Sequence, residues 1–223
     1  MKIKLINTLI IMALVMTAFS CKSEKKNETE AATAEEVKEA TAEAISYVVD
    51  PASSIIEWTG SKPAGKHTGT IQLEQGTVKT QEGKIESGSF MIDMTTINVT
   101  DLEGEEKTGL EGHLRGEGEG KEDHFFNVAK FPKASFEITG ITQKEGKTYL
   151  EGNLTIKGIE KNISFPASTS IEGDTMTLST EVFTINRTEW GVNYASKSIF
   201  ENLGDKFIND DIELKISVKA KKA

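Results

Sequence analysis

The sequence predicts an all-β domain of eight antiparallel strands, and three observations support that fold class. From Tyr47 onward, apolar residues recur with a period of two, which is typical of strands that bury one face. Polar segments that contain glycine, such as 81–84, 144–147 and 172–174, separate these runs and fit short hairpins. Because each strand has one apolar face, the sheet must either close on itself or pack against a second sheet.

The strands are predicted at 48–60, 67–80, 84–94, 134–142, 147–158, 160–171, 174–187 and 210–220. The clearest is the last, in which Ile212, Leu214, Ile216 and Val218 alternate with polar residues. Eight strands can form a barrel that is filled by side chains or that holds one small ligand. Two long connections, 95–133 and 188–209, interrupt the order, and we expect them to be functional loops that carry short helical segments.

The first 21 residues have the order of an export signal. Lys2 and Lys4 precede an apolar run that is short for a membrane-spanning helix, so residues 1–20 are predicted to be a signal peptide. Cys21 is the only cysteine in the chain, which excludes an intramolecular disulfide. A cysteine in this position resembles the lipobox of bacterial lipoproteins, although a buried free thiol is the alternative.

That resemblance implies that Cys21 is diacylated and becomes the first residue of the mature protein. Two acyl chains anchor a protein stably, where one does not. We therefore expect an exported protein that is lipid-anchored to a membrane of a Gram-negative envelope, on the periplasmic side or at the cell surface.

Residues 21–46 are predicted to be the lipidated cysteine and a disordered tether. The segment is rich in Glu, Ala, Thr and Lys, and its large apolar residues are Val37 and Ile45. Such a composition buries too little surface to offset the entropy of ordering, although an amphipathic helix is an alternative. Residues 47–223 then form one domain, which is long enough for a sizeable core.

The charge of the chain argues against nucleic-acid binding. The net charge is −9 at pH 7, and it becomes −11 once residues 1–20, with their two lysines and no acidic residue, are removed. No basic stripe is visible, so neither nucleic acid nor an anionic lipid surface is expected to attract the domain by charge. Attachment to a membrane would depend on the acyl anchor.

The stretch 122–140, EDHFFNVAKFPKASFEITG, concentrates aromatic residues. It contains four of the ten phenylalanines, two of them at Phe125 and Phe126, beside His124. Each ring offers roughly 150–250 Å² of surface. The rings could plug one end of the barrel or line the opening of a tunnel, and a catalytic role is the third alternative.

The remaining polar candidates indicate structure rather than chemistry. His67, His113 and His124 lack a metal-binding spacing, so we expect no metal and no cofactor. Arg187 follows an apolar run and needs a partner, for which Asp93 and Asp123 are candidates. No nucleophile elbow or phosphate-binding loop is present, so the chain is not expected to be an enzyme.

Several short motifs occur in an order and spacing that resemble the YceI-like polyisoprenoid-binding family. They are Trp58-Thr59-Gly60 with Lys66-His67-Thr68-Gly69, the run 88–93, Gly112-His113-Leu114-Arg115, the run 123–128 with Phe131-Pro132, the run 152–158, and the run 185–191. The resemblance covers 47–220. The glycine-rich segment 116–122, GEGEGKE, departs from it.

The resemblance implies a lipocalin-like antiparallel barrel with an apolar tunnel that holds a polyisoprenoid or other long-chain lipid. The residues expected to line the tunnel are Trp58, His67, Phe90, Ile92, Phe125, Phe126, Phe136, Ile138, Leu154, Ile156, Phe183, Ile185 and Trp190.

The sequence leaves two alternative functions and the oligomeric state open. The chain could be an enzyme of isoprenoid or quinone metabolism that uses His67, Asp93 and Arg187. It could be a ligand-free structural or stress-protective lipoprotein. A homodimer is also possible.

Overall fold

The computed structural model describes residues 27–223, which form ten strands and one α-helix. The predicted signal peptide and Cys21 lie outside the described residues. The strands are β1 (Ile45–Val49), β2 (Ile55–Lys62), β3 (Gly65–Gln81), β4 (Lys84–Val99), β5 (Lys133–Lys144), β6 (Lys147–Ile156), β7 (Ile159–Glu172), β8 (Thr175–Thr180), β9 (Phe183–Asn186) and β10 (Asp211–Lys222). The helix α1 spans Gly104–Arg115, and 3-10 turns lie at Pro51–Ser53, Arg187–Trp190 and Gly204–Lys206.

Eight of these strands form a closed antiparallel ring in the order β10-β2-β3-β4-β5-β6-β7-β8, and β8 pairs with β10 again. The predicted all-β antiparallel barrel is therefore confirmed, and closure resolves the choice between a barrel and two packed sheets. Both long connections carry short helical segments, as expected. The first connection is 100–132 and contains α1, and the second is 187–210.

The two additional strands arise because two predicted strands are interrupted. β10 pairs with β2 along 212–217 and with β1 along 220–222, so β1 and β2 are one strand broken at Asp50. Pro51 lacks an N–H, and the Asp50 side chain accepts a hydrogen bond from the Ala52 N–H, which favours a turn there. In the same way β10 pairs with β8 and then with β9, which are separated by Glu181 and Val182.

The barrel core is built from the inward-facing residues that the period-two pattern identifies. Phe165 and Phe183 stack with their ring centroids 4.2 Å apart. Trp190, at the end of the turn that follows β9, is fully buried, and its indole N–H donates to the Leu154 carbonyl at 2.9 Å. Trp190 thereby anchors the first residues of the second connection in the barrel core.

Residues 27–44, here called the strap, follow an ordered path across the outside of the barrel. The Thr29 N–H donates to the Thr184 carbonyl at 2.9 Å. Ala32 exchanges two backbone hydrogen bonds with Asn162, at 2.8 and 3.0 Å. Because Thr184 belongs to β9 and Asn162 to β7, the strap joins two strands that the described pairings do not connect directly.

An asparagine side chain holds the next part of the strap. The Asn153 side-chain amide donates to the Glu35 carbonyl at 2.7 Å, and the Asn153 side-chain oxygen accepts from the Glu35 N–H at 3.0 Å. Asn153 is 3% exposed although it lies on the outer face of β6. The sequence predicted a disordered tether over residues 21–46, whereas residues 27–46 follow an ordered path on the barrel. Hydrogen bonds to its backbone hold this segment in place, and a prediction from hydropathy cannot detect such bonds.

These contacts predict that replacing Ala32 with proline will destabilise the domain. Proline removes the N–H that bonds to the Asn162 carbonyl, and a backbone hydrogen bond contributes about 1 kcal/mol. The expected fall in melting temperature is about 2–4 °C. Lys38→Pro is the matched control, since Lys38 is an exposed strap residue for which the structure shows no backbone hydrogen bond. Equal melting temperatures for both variants and the parent, measured by circular dichroism, would contradict the docked strap.

Candidate functional site

The barrel encloses a cavity of about 330 Å³ with almost entirely apolar walls. All ring strands contribute to it, and both long connections close one end. Ligand-binding cavities in proteins typically measure about 300–1,000 Å³. The cavity is therefore large enough to hold a small or slender ligand.

Twelve of the thirteen residues predicted to line a tunnel contribute to the cavity wall. They are Trp58, His67, Phe90, Ile92, Phe125, Phe126, Phe136, Leu154, Ile156, Phe183, Ile185 and Trp190. Ile138 does not line the cavity, and the expectation for it is wrong. Ile138 is 1% exposed and fills the space beside Gly88, where an added Cβ would lie 2.8 Å from the Ile138 side chain. Contact of the other twelve with a ligand stays a prediction.

The predicted lining omits several wall residues in the two long connections. Leu110, His113 and Leu114 line the cavity from α1, and Val192, Ile208 and Asn209 line it from the second connection. The i, i+3, i+4 spacing of Leu110, His113 and Leu114 is the helical pattern that could have identified the first group. The second group lies in irregular backbone, for which no periodic signal exists.

Polar side chains tie α1 to the last residues of β4. The Glu111 carboxylate accepts a hydrogen bond from the Val99 N–H at 2.8 Å, and Glu111 is 8% exposed. The Lys107 ammonium donates to the Asn98 side chain at 2.7 Å. Burial by itself would raise the pKa of Glu111, but the Val99 N–H and Lys107 together hold that pKa below its usual value. These contacts fix the helix over one end of the cavity.

The helix ends at Gly116, which has a φ of 79° and donates its N–H to carbonyls of the last turn. A Cβ at Gly116 would lie 2.4 Å from the Glu122 carbonyl oxygen, so only glycine fits. The glycine-rich segment 116–122, which departs from the family pattern, therefore begins with the residue that caps the helix. It turns the chain back so that Phe125 and Phe126 reach the cavity.

An aromatic cluster joins the first connection to the second. His113 and His124 form a hydrogen bond of 2.8 Å between their rings. Tyr194 of the second connection stacks on His124, with ring centroids 4.1 Å apart, and its ring also lies 5.4 Å from that of Phe125. Phe125 is 6% exposed. The buried Phe125 ring closes this end of the barrel and also faces the cavity. Its position therefore fits both alternatives, a plug and a lining residue.

Arg187 holds the two ends of the second connection together. Its guanidinium donates to the carbonyls of Val192, Tyr194, Ile208 and Asn209 and lies 3.6 Å from the Asp210 carboxylate. The candidates Asp93 and Asp123 were wrong, because Asp93 accepts from Thr95 and Asp123 accepts from Asn127. Arg187 and Asp210 become neighbours only through the pairing of β9 with β10, in which Asn186 lies opposite Asp211.

Four of the polar residues that line the cavity at this end are here called the polar rim, namely Ser61, Lys62, His67 and Asn209. The Asn209 side chain donates to the Ser61 hydroxyl at 2.9 Å. The Nδ1 atom of His67 lies 2.9 Å from the Asp101 carboxylate. Burial would raise the pKa of Asp101, but hydrogen bonds from Thr68 and His67 lower it overall. Within residues 27–223, no three histidine, cysteine or acidic side chains converge as metal ligands.

In the part of the chain that the structure describes, no helix has the length and apolar character needed to span a membrane.

A closed antiparallel barrel around an apolar cavity defines the class of lipocalin-like barrels that can hold a small ligand. The model of the YceI-like domain family matches residues 47–220, and the chain belongs to that family. This confirms the resemblance that the motifs indicated.

Solved structures share the fold. BcnA of Burkholderia cenocepacia superposes with a TM-score of 0.61 at 21% identity, over 78% of this chain and 99% of that one. A polyisoprenoid-binding domain from Saccharophagus degradans, implicated in plant cell wall breakdown, gives a TM-score of 0.56 at 11% identity, over 80% of this chain and 99% of that one. Protein YceI of Salmonella arizonae is 38% identical over 50 residues, which are 22% of this chain and 26% of that relative.

The histidine pair predicts how stability depends on pH. The pKa of His113 lies below its ordinary value of 6.5, because burial disfavours the imidazolium and because His124 and Lys121 add positive charge nearby. The unfolded chain therefore binds more protons than the folded chain below about pH 6.5, so stability falls as the pH falls through that range.

We expect His113→Gln to lose less stability than the parent between pH 7.5 and pH 5.5, since the variant lacks the group that resists protonation. Thermal melts at both pH values measure the difference. An acid-induced loss as large in the variant as in the parent would show that His113 does not carry the effect.

Proposed function

We propose that this protein binds a long apolar chain of polyisoprenoid type in its barrel cavity, as an exported, lipid-anchored binding protein. The observation that carries the proposal is an enclosed apolar cavity with polar groups at one end. Such a site suits an amphiphile whose chain lies in the barrel and whose head group lies at the polar rim. Membership of the YceI-like family supports the proposal, as does the shared fold of the Saccharophagus degradans domain.

Burial of apolar surface supplies the driving force. Each buried CH₂ group contributes about 0.8 kcal/mol, so a chain that buries ten of them gains about 8 kcal/mol before the cost of association. Shape complementarity and a few polar contacts at the rim are sufficient, and no catalytic group is needed for such a site.

Binding is favoured over catalysis by the state of the three candidate groups. The Arg187 guanidinium is occupied by four carbonyls and Asp210. Asp93 accepts hydrogen bonds from Thr95 and does not line the cavity. His67 lines the cavity, and its Nδ1 atom faces Asp101. The three groups therefore do not converge on one point inside the barrel. The cavity in turn favours binding over a ligand-free structural role.

Filling the cavity should displace the lipid. Ile156 lines the cavity and is half-buried, so Ile156→Trp places a large ring in the space that the chain would occupy. We expect the variant to fold, with a cost of about 1–3 kcal/mol from overpacking, and to retain several-fold less co-purified lipid. Native mass spectrometry followed by lipid extraction gives the measurement.

Ile199→Trp is the matched control, because Ile199 is 51% exposed and does not line the cavity. A folded Ile156→Trp protein that retains as much lipid as the control would exclude the cavity as the binding site. A parent protein that carries no lipid and binds none when polyprenols are added would argue for the ligand-free alternative.

The anchor part of the proposal depends on the sequence order before Cys21. Replacing Cys21 with alanine removes the acylated thiol, so the protein should leave the detergent phase or accumulate with its signal peptide attached. Detergent partitioning and intact mass give both readouts. A correctly processed Cys21→Ala chain that still partitions into detergent would refute the lipid anchor.

A further inference from the structure

A second cavity, of about 390 Å³, lies at the end of the barrel away from the polar rim. Its walls are mixed in character: Ile85, Ile141, Pro166 and Ala167 are apolar, whereas Lys147, Thr148, Ser168, Thr169 and Glu181 are polar. These residues belong to the ends of β4, β5 and β6 and to the middle of β7, together with the residue that follows β8.

Two side chains separate this second cavity from the first. Leu150 of β6 and Leu178 of β8 line both cavities. They are 2% and 4% exposed, so they pack together with the core rather than face solvent. Leu150 lies opposite Phe165 of β7 in the sheet register. The two cavities are therefore neighbours within one barrel, and leucine side chains form the partition between them.

The sheet leaves the second cavity a way out to the surface. β6 pairs with β7 as far as Tyr149 opposite Pro166, and β7 pairs with β8 from Ala167 onward. The β5–β6 and β7–β8 hairpins therefore diverge beyond Pro166. The ion pair between Lys147 and Glu181 spans this gap at 2.8 Å, and both side chains are half-exposed. An exposed ion pair of this kind contributes little to closing the gap.

We propose that the second cavity receives the far end of the bound chain, and that Leu150 and Leu178 form a gate that determines how long a chain the barrel accepts. This inference rests on the proposed function. A head group at the polar rim fixes one end of the chain. Along β6 the first cavity extends from Ile156 to Leu150, which is about 20 Å at ~3.3 Å per residue. A longer chain must either fold back or pass the two leucines.

In this proposal the two leucines move aside by a change of side-chain rotamer, while the sheet stays as it is. Leucine has several staggered rotamers, and its branch point at Cγ lets the methyl groups swing aside without backbone movement. Beyond the gate, Ile85, Ile141 and Ala167 form the apolar part of a mixed wall, and a hydrocarbon can lie against that part. From Leu150 to Gly146 the strand and its turn add about 13 Å at ~3.3 Å per residue. The second cavity therefore distinguishes long chains from short ones.

The test fills the second cavity and leaves the first unchanged. Ala167 lines the second cavity alone, so Ala167→Trp should obstruct the far end of a long chain. Ser170→Trp is the matched control, because Ser170 is exposed on the same strand and lines neither cavity. Binding of a short polyprenol of four isoprene units and a long one of seven is measured on lipid-stripped protein by competition with a fluorescent lipid.

We expect Ala167→Trp to bind the long polyprenol about tenfold more weakly than the parent and the short polyprenol equally well, with the control unchanged for both. Equal affinities of all variants for both chains, or an equal loss for both, would overturn the gate alone. A parent protein that binds neither chain would overturn the proposed function, and the gate with it.

Discussion

The pairing of β10 with two sets of partners is the constraint on which the rest of the structure depends. One edge of β10 meets β1 and β2, and the other meets β8 and β9, so the last strand of the chain closes the sheet. Closure removes exposed strand edges and forces every inward side chain into one enclosed space. It also places Arg187 beside Asp210, and that contact holds the second connection over the cavity. The cavity and the second connection that closes it therefore both depend on the pairing of β10.

The sequence predicted those features that depend on local alternation, and missed those that depend on register or on irregular backbone. Period-two patterns located all eight ring strands, and most of the proposed lining followed from the same alternation. Pro51 signalled a break, yet the resulting division of the strand was not foreseen. The Arg187–Asp210 pair joins residues 23 positions apart in sequence, and only the β9–β10 register brings them together. The prediction that Ile138 lines the cavity was wrong, because an inward-facing residue can instead fill the space left by a glycine.

The strap shows a further limit of reading composition. Its residues are those of a disordered segment, and almost none of its side chains is buried deeply. On the outer face of the barrel, the side chain of Asn153 and the main chain of Asn162 bind its backbone. Hydrogen bonds to a backbone do not depend on the side chains of the bound segment, so the Glu, Ala and Thr content could not reveal them. The side-chain signal lay instead in the barrel, at Asn153, whose side-chain oxygen also accepts a hydrogen bond from Asn162 opposite it on β7.

If Cys21 carries the proposed lipid anchor, the strap also determines how far the barrel can move from the membrane. For an anchor at Cys21, a free spacer up to Tyr47 would have a contour of about 90 Å, whereas a docked strap leaves six residues before Asn27, or about 20 Å. With the longer spacer, the barrel could exchange lipid with a distant acceptor. With the shorter spacer, it would reach only the bilayer that holds the anchor. Under the proposed lipid anchor, undocking of residues 27–44 would lengthen the reach of the barrel, and the strength of those few hydrogen bonds would set that reach.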